Sequence, residues 1–124
     1  MINKEFIYIM NRYYQASRLL EISNVMLQRQ LSNPDIKFDE AMNKFYSATN
    51  FCDKICKNYE LVDEILKKFP EKQQELLYLY IAKNKTSLSL AEARGISQRS
   101  FFRKIENISG RFMNLYNKRK VQNG

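Results

Sequence analysis

A short basic stretch of the sequence, residues 97–103, carries the side chains best suited to specific recognition chemistry. Gln98, Arg99 and Arg103 lie within it, and Phe102 stands beside them. Gln and Arg side chains form paired hydrogen bonds with the edges of adenine and guanine in the DNA major groove. These four residues are therefore the predicted base-reading set. Phe102 leaves two interpretations open, which are contact with thymine methyl groups and packing at a partner surface.

Residues around this stretch are better suited to phosphate groups than to bases. Ser97 and Ser100 stand at the start of a predicted helix, where the positive end of the helix dipole favours an anion. Lysine and arginine side chains attract phosphates without reading the sequence. The basic candidates for such contacts are Lys83, Lys85, Arg94, Lys104 and Arg111. Together with the base-reading set, they predict a surface for double-stranded DNA.

The apolar pattern around the base-reading set predicts a helix, a tight turn and a second helix. The first helix, within residues 88–93, is short and contains small residues that permit close approach of another helix. Gly95 allows the left-handed backbone that ends a helix sharply, Ile96 forms an apolar plug, and Ser97 is a good N-cap. In the second helix, apolar residues recur at steps of four and three, at Phe101, Ile105, Ile108, Phe112 and Leu115. This pattern is typical of a DNA-binding helix-turn-helix, although a helical bundle that binds no DNA can share it.

The distribution of charge favours nucleic-acid binding by the C-terminal part of the chain. The sequence has 21 Lys and Arg against 13 Asp and Glu, a net charge of +8. Residues 1–69 contain ten basic and nine acidic residues, whereas residues 70–124 contain eleven and four. Such a split is expected for a nucleic-acid surface joined to a neutral region. A generally lysine-rich composition would also give a basic protein, so charge alone does not decide between the two.

Two long heptad stripes predict that residues 1–69 form an antiparallel helical hairpin. The first helix should end near Leu31, because the residue before Pro34 is disfavoured in a helix and proline cannot continue one. The first stripe consists of Ile2, Phe6, Ile9, Tyr13, Ala16, Leu20, Ser23 and Leu27. The second stripe consists of Phe38, Ala41, Phe45, Ala48, Cys52, Ile55, Tyr59, Val62, Leu66 and Phe69. A short connection places such helices antiparallel, so that the two stripes face each other.

The organisation of the chain follows from these patterns, and the predicted fold class is all-α. Apolar residues that the C-terminal helices or a second copy must cover widen the first helix face, at Ile7, Met10, Leu19, Ile22 and Met26. We therefore expect residues 1–69 to be a dimerisation or partner-binding region. Pro70 starts a helix expected over residues 71–84. Residues 70–119 then form the DNA-binding domain, and residues 120–124 a frayed tail.

Several classes of protein are disfavoured by what the sequence lacks. It has no histidine, no glycine-rich phosphate loop and no inward-facing carboxylate pair, so we expect no enzyme, no cofactor and no metal site. Cys52 and Cys56 are expected to be buried as small apolar residues. The sequence shows neither a run of about 18 apolar residues nor a secretory signal, which predicts a cytoplasmic protein.

Residues 69–116 resemble region four of bacterial sigma factors, the part that reads the −35 promoter element. The matching features are Phe69-Pro70, the Leu/Tyr-rich segment 76–80, Ala91-Glu92, Gly95-Ile96-Ser97 and Arg103. The order Ile-Ser-x-Arg-Ser-x-x-Arg in residues 96–103 is similar to that of small phage and prophage late-gene activators of the RinA/ArpU type. Residues 1–68 have neither the acidic stretch nor the tryptophan-bearing helix of sigma region two. The resemblance implies a region-four-like helix-turn-helix, promoter DNA as the ligand, and a possible contact with RNA polymerase.

The function that this sequence predicts best is sequence-specific DNA binding by a bacterial or phage transcription regulator. One alternative is a sigma-like factor that reads promoter DNA only within the RNA polymerase holoenzyme. Another is a helical interaction protein that keeps the pattern without binding DNA.

Overall fold

The chain is all-α, as the sequence predicts. A computed structural model describes residues 2–123, and every regular element within them is helical, with no strand. The α-helices are α1 (Lys4–Leu31), α2 (Phe38–Leu66), α3 (Glu71–Leu77), α4 (Ser87–Ala93) and α5 (Gln98–Asn123). A π-helical turn over Tyr78–Ala82 continues α3. None of the described helices is long and apolar enough to cross a membrane.

The connection between α1 and α2 is fixed by local hydrogen bonds. The Ser32 hydroxyl donates to the Gln28 carbonyl at 2.7 Å, and the Asn33 side chain accepts from the Asp35 N–H at 3.0 Å. The first bond adds a second donor to a carbonyl that also accepts the Ser32 N–H, and the second is a local Asx turn within the connection. Pro34 prevents the helix from continuing. The end of α1 at Leu31 agrees with the prediction.

The segment after Pro70 differs from the single regular helix predicted for residues 71–84. Regular α-helical bonding stops at Leu77. The next turn is wider, because the Lys83 N–H donates to the carbonyl of Tyr78, five residues back, at 3.1 Å. Such a bulge cannot be found from apolar periodicity, since it adds one residue to a turn without changing which residues are apolar.

The structure divides into two units, and the division does not follow the predicted boundary between residues 69 and 70. Unit 1 consists of Met1–Tyr14 and Leu61–Gly124, and unit 2 of Gln15–Glu60. The boundary therefore falls inside α1 and α2. Burial explains this, because Phe6 and Met10 of α1 belong to the same core as the C-terminal helices. Periodicity within one helix does not reveal which distant helix each turn contacts.

All five helices contribute to the core of unit 1. The buried Phe112 ring packs edge-on against Phe6, with 5.3 Å between ring centroids, and stacks on Tyr116 at 6.0 Å. Phe101 contacts Tyr80 edge-on at 5.3 Å. The predicted stripe of α5 is confirmed, because its residues are buried or half-buried, namely Phe101, Ile105, Ile108, Phe112 and Leu115.

The C-terminal end of α5 is longer than the sequence predicts. The helix continues to Asn123, through most of the segment expected to be a frayed tail, and Gly124 lies outside the described residues. The Arg119 guanidinium donates to the Glu64 carboxylate at 2.9 Å, which ties the last turns of α5 to α2. Basic residues near a helix C-terminus also interact favourably with the helix dipole.

Unit 2 has almost no core of its own. Among the described residues, Ala16 is its one buried apolar residue. The prediction that Phe38 and Phe45 face α1 is wrong, because these side chains are 77% and 47% exposed. Cys52 is half-buried and Cys56 is exposed, so the expected burial of both is also wrong. Two helices cover each other on one side only, and positions at the margin of their contact stay accessible.

Candidate nucleic-acid interface

The turn between α4 and α5, residues 94–97, is held by backbone hydrogen bonds. The Gly95 N–H donates to the Glu92 carbonyl at 3.1 Å, and the Ile96 N–H donates to the Ala91 carbonyl at 3.0 Å. These two bonds form a Schellman motif, which needs a left-handed residue just after the helix cap. Gly95 has a φ of 66°, as predicted. Ile96 packs against the core, which agrees with its predicted role as a plug.

The start of α5 is capped by Ser97, as predicted. The Ser97 Oγ accepts the N–H of Ser100 at 3.1 Å and donates to the Ser100 Oγ at the same distance. A phosphate contact by these hydroxyls would replace bonds that hold the helix start. The backbone N–H groups of Gln98 and Arg99, at the positive end of α5, are therefore better placed to receive an anion.

Three members of the base-reading set are exposed on the first two turns of α5. Arg99 and Arg103 are four residues apart and so project from one face, and Gln98 precedes them. Phe102 differs, because its side chain is half-buried and packs on the core. Its ring lies edge-on against Phe101, with 5.6 Å between centroids. Phe102 thus packs partly within its own unit, and both interpretations offered by the sequence stay predictions for the part of the ring that is exposed.

A groove in unit 1 is lined by cations from three segments, and we term it the basic groove. Its lining residues are Pro70, Lys72, Gln73, Leu76, Arg94, Lys104, Asn107, Ile108 and Arg111. Arg94, Lys104 and Arg111 were each predicted from sequence as phosphate contacts, and the structure brings them together. Lys72 is a fourth cation that sequence reasoning missed. No signal in the sequence shows that the first turn of α3 faces α5.

An aromatic side chain positions Arg111 in the basic groove. The guanidinium carbon of Arg111 lies 4.9 Å from the centroid of the buried Phe69 ring. The Phe69 carbonyl accepts from the Gln74 side chain at 2.8 Å, which fixes the backbone before α3. A cation–π contact is worth about 0.5–1 kcal/mol at an exposed site. A guanidinium group has five N–H donors, so Arg111 keeps donors for a phosphate.

Gln73 adds an unsatisfied polar atom to the basic groove. Its Oε1 is buried and has no hydrogen-bond partner among the described residues. A buried polar atom without a partner costs about 1–3 kcal/mol. Turning the amide by 180° would exchange this acceptor for an N–H donor. The Oε1 is shielded in the present arrangement, so the cations of the groove remain the groups that a ligand would contact.

The other two predicted phosphate contacts lie elsewhere in unit 1. The Lys83 ammonium is 5.7 Å from the centroid of the Tyr78 ring. Lys85 lines a separate depression together with Ile7 and Asn11 of α1. Both lysines are exposed, but neither lines the basic groove. Three of the five basic candidates thus line the basic groove, and the other two, Lys83 and Lys85, lie outside it.

The two units differ completely in net charge. Unit 1 has fifteen Lys and Arg against seven Asp and Glu, whereas unit 2 has six against six. The net charge of +8 therefore belongs entirely to unit 1. This separation is sharper than the one seen in the sequence, because the units are defined by packing and not by position along the chain.

A cluster of titratable residues in unit 1 lies outside the basic groove. The Tyr13 hydroxyl donates to one oxygen of Asp63 at 2.8 Å, and the Lys67 ammonium lies 2.7 Å from the other. The bond from Lys67 holds the pKa of Asp63 below its usual value. Burial, reinforced by the bond to Asp63, raises the pKa of Tyr13, and burial also raises that of Tyr14. These contacts join α1 to α2 within unit 1 and stabilise the fold.

Comparison with known proteins finds no match for this chain. No protein-family model, no curated protein and no solved structure matches this chain. Within residues 2–123, no three His, Cys, Asp or Glu side chains are grouped so that they could hold a metal ion. The case for a function rests on α5, the basic groove and the distribution of charge.

Proposed function

We propose that this protein is a transcription regulator that binds duplex DNA sequence-specifically through the start of α5. The observation that carries the proposal is that the whole net charge of +8 lies in unit 1, which contains α5 and the basic groove. Contacts between cations and phosphates supply essentially all of non-specific DNA affinity and a large share of specific affinity. A neutral unit 2 in the same chain argues against a merely basic composition, which would have charged both units.

The first two turns of α5 are the proposed base-reading element. An α-helix fits the major groove, and in a helix-turn-helix the N-terminal residues of the second helix contact base edges. Gln98, Arg99 and Arg103 are exposed there. The left-handed Gly95 and the Ser97 cap fix where α5 begins. This rigid start favours specificity, because the reading side chains are held in one register relative to α4.

The basic groove is the proposed contact to the DNA backbone. Lys72, Arg94, Lys104 and Arg111 come from three separate segments, so their convergence is a property of the fold. Each neutralised phosphate adds about 0.9 to the slope of log affinity against log salt concentration. Four such contacts would contribute roughly 3–4 to that slope.

The proposal is tested by selecting a preferred duplex from a random pool and titrating it by fluorescence anisotropy at several salt concentrations. Replacing Arg99 with Ala should cost about 1–3 kcal/mol on the selected duplex and much less on an unrelated one, because a base contact is lost. Lys104→Ala should weaken both duplexes alike and lower the salt slope by about 0.9. The matched control is Lys54→Ala, which removes an exposed cation from unit 2 and should change neither property.

Three results would contradict the proposal or part of it. Absence of binding at about 50 mM salt, or binding without a salt slope, would exclude phosphate-driven recognition. Identical effects of Arg99→Ala and Lys104→Ala on both duplexes would exclude base reading by Arg99. Binding that requires added bacterial RNA polymerase would favour the sigma-like alternative, in which promoter DNA is read within the holoenzyme.

A further inference from the structure

We infer that unit 2 is a self-association unit, in which a second copy of the chain seats in a groove between α1 and α2. This apolar groove has Leu19, Ile22 and Met26 of α1 on one wall, and Ala48 and Phe51 of α2 on the other. Its two walls belong to the same unit, so the groove is complete within residues 15–60. The inference rests on the packing and charge of unit 2 and does not depend on the proposed function.

Unit 2 contains most of the large apolar side chains that are exposed among the described residues. Thirteen large apolar side chains are exposed among the described residues, and nine of them lie in unit 2. They are Leu19, Ile22, Val25, Met26, Leu31, Phe38, Phe45, Tyr46 and Phe51. Contiguous apolar patches beyond a few hundred Å² are rare on monomers and mark interaction sites. Helices whose apolar stripe is wider than one contact need a further helical layer.

The charges around the apolar groove favour a second copy as its occupant. Lys37 and Lys44 line the groove together with Asp39 and Glu40, two positive and two negative side chains. A surface that carries both signs can form ion pairs with its own copy, which is what the same patch on both partners of a twofold dimer requires. Unit 2 as a whole carries no net charge. It therefore offers no electrostatic attraction to nucleic acid or to an anionic lipid surface.

The α1 stripe supplies the element that the groove can hold. Leu19, Ile22 and Met26 are spaced three and four residues apart, which places them on one helix face. A helix that presents such anchors binds in an apolar groove on its partner. In a twofold arrangement the stripe of each copy enters the groove of the other, giving four helices around one core. Each copy then provides both the inserted helix and the groove.

The inference is tested by sedimentation equilibrium of the full chain across protein concentrations up to about 200 µM, because dimerisation follows mass action. Wild-type protein should be dimeric. Ile22→Asp and Met26→Asp should each raise the dimer dissociation constant more than about tenfold, since a charge would be buried without a partner. The matched control is Val25→Asp, on the same helix. Val25 is 46% exposed and Ile22 45%, but Val25 does not line the apolar groove.

The substituted side chains are exposed in the single chain, so the helical circular-dichroism signal of dilute samples should match that of wild-type protein. A wild-type monomer at all concentrations would overturn the inference and leave the groove to another partner. Equal disruption by Val25→Asp and Ile22→Asp would overturn the assigned face, and a trimer or larger assembly would overturn the twofold arrangement. DNA binding separates the two proposals, because wild-type protein that stays monomeric yet binds DNA breaks this inference alone. A dimer that binds no DNA breaks the proposed function alone.

Discussion

Unit 1 and unit 2 each contain part of the two long helices α1 and α2, yet they bury their apolar residues very differently. Sixteen of the seventeen buried apolar residues among those described lie in unit 1, and Ala16 is the exception. Nine of the thirteen exposed large apolar residues lie in unit 2. The heptad pattern is equally regular in both parts of the chain. Periodicity thus defines which face of a helix is apolar, and the number of surrounding helices decides whether that face is buried.

The two units also differ in what they expose to a partner: unit 1 carries net positive charge, and unit 2 carries apolar side chains. Unit 1 is well packed inside and carries the whole net positive charge, whereas unit 2 has no net charge and has unburied apolar side chains. The first combination suits a polyanion such as DNA, and the second suits another apolar surface. One chain therefore presents two surfaces with different partner chemistry.

The largest expected effect of a substitution is in the core of unit 1. Phe112→Ala should lower the free energy of unfolding by about 3–5 kcal/mol, because a fully buried ring is lost and a cavity remains. Phe112 is in contact with both Phe6 and Tyr116. The matched substitution in unit 2 is Phe45→Ala, where the ring is 47% exposed. Its effect should stay below about 1 kcal/mol in dilute protein, where no dimer forms.

Urea unfolding at low protein concentration measures both variants. Equal losses for Phe112→Ala and Phe45→Ala would mean that the two units do not differ in packing. A loss for Phe45→Ala that grows with protein concentration would indicate that this ring is covered in the dimer.

Alkaline pH should weaken unit 1 through its buried tyrosines. The pKa of Tyr13 and that of Tyr14 are raised in the folded state, so the stability they contribute is complete below their usual pKa of about 10. Above that pH the unfolded chain loses protons first, and the free energy of unfolding falls by about 1.4 kcal/mol per pH unit for each such tyrosine.

Tyr13→Phe isolates one of these contributions. It removes the hydrogen bond to Asp63, at a cost of about 1–2 kcal/mol near neutral pH. It should also make the free energy of unfolding fall less steeply with pH above about 10, because one of the two tyrosines no longer contributes. Urea unfolding at pH 9, 10 and 11 measures this fall. The control is Tyr46→Phe in unit 2, where the ring is 57% exposed. An unchanged slope in Tyr13→Phe would show that Tyr13 ionises without penalty in the folded chain.

The parts of the fold that could be predicted from sequence are those set by neighbouring residues. Pro34 ends a helix, Gly95 takes a left-handed backbone and Ser97 caps α5, each through contacts within a few residues. The buried stripe of α5 was also predictable, because its unit contains enough helices to cover it. Exposure of Phe38 and Phe45 was not, since it depends on how many helices surround α2.

The candidate site likewise could be predicted only where neighbouring residues form it. Gln98, Arg99 and Arg103 could be found because one helical stretch carries them all. The basic groove could not, because Lys72 and Arg111 are 39 residues apart in the sequence and meet only through packing. The partial burial of Phe102 could not be predicted for a related reason. A helix position one step from the apolar stripe is buried or exposed according to the width of the neighbouring core.

The smallest expected effect concerns the turns that connect helices in the two units. The turn of unit 2 is stabilised by Asn33 and Pro34, whereas the turn between α4 and α5 in unit 1 depends on the positive φ of Gly95. Gly95→Ala should therefore lower the free energy of unfolding by about 1 kcal/mol. A Cβ at this position would have no atom within 4 Å, so the loss would come from the backbone alone.

Gly110→Ala is the matched control, because it also adds a Cβ with no atom within 4 Å, but inside α5. It should raise the free energy of unfolding by about 0.5–1 kcal/mol, since alanine has a higher helix propensity than glycine. Opposite signs for the two glycines, measured by urea unfolding, would assign the Gly95 effect to left-handed backbone. A stabilising Gly95→Ala would instead mean that the turn can change its conformation without cost. The start of α5 would then lack the rigid register on which the proposed base reading depends.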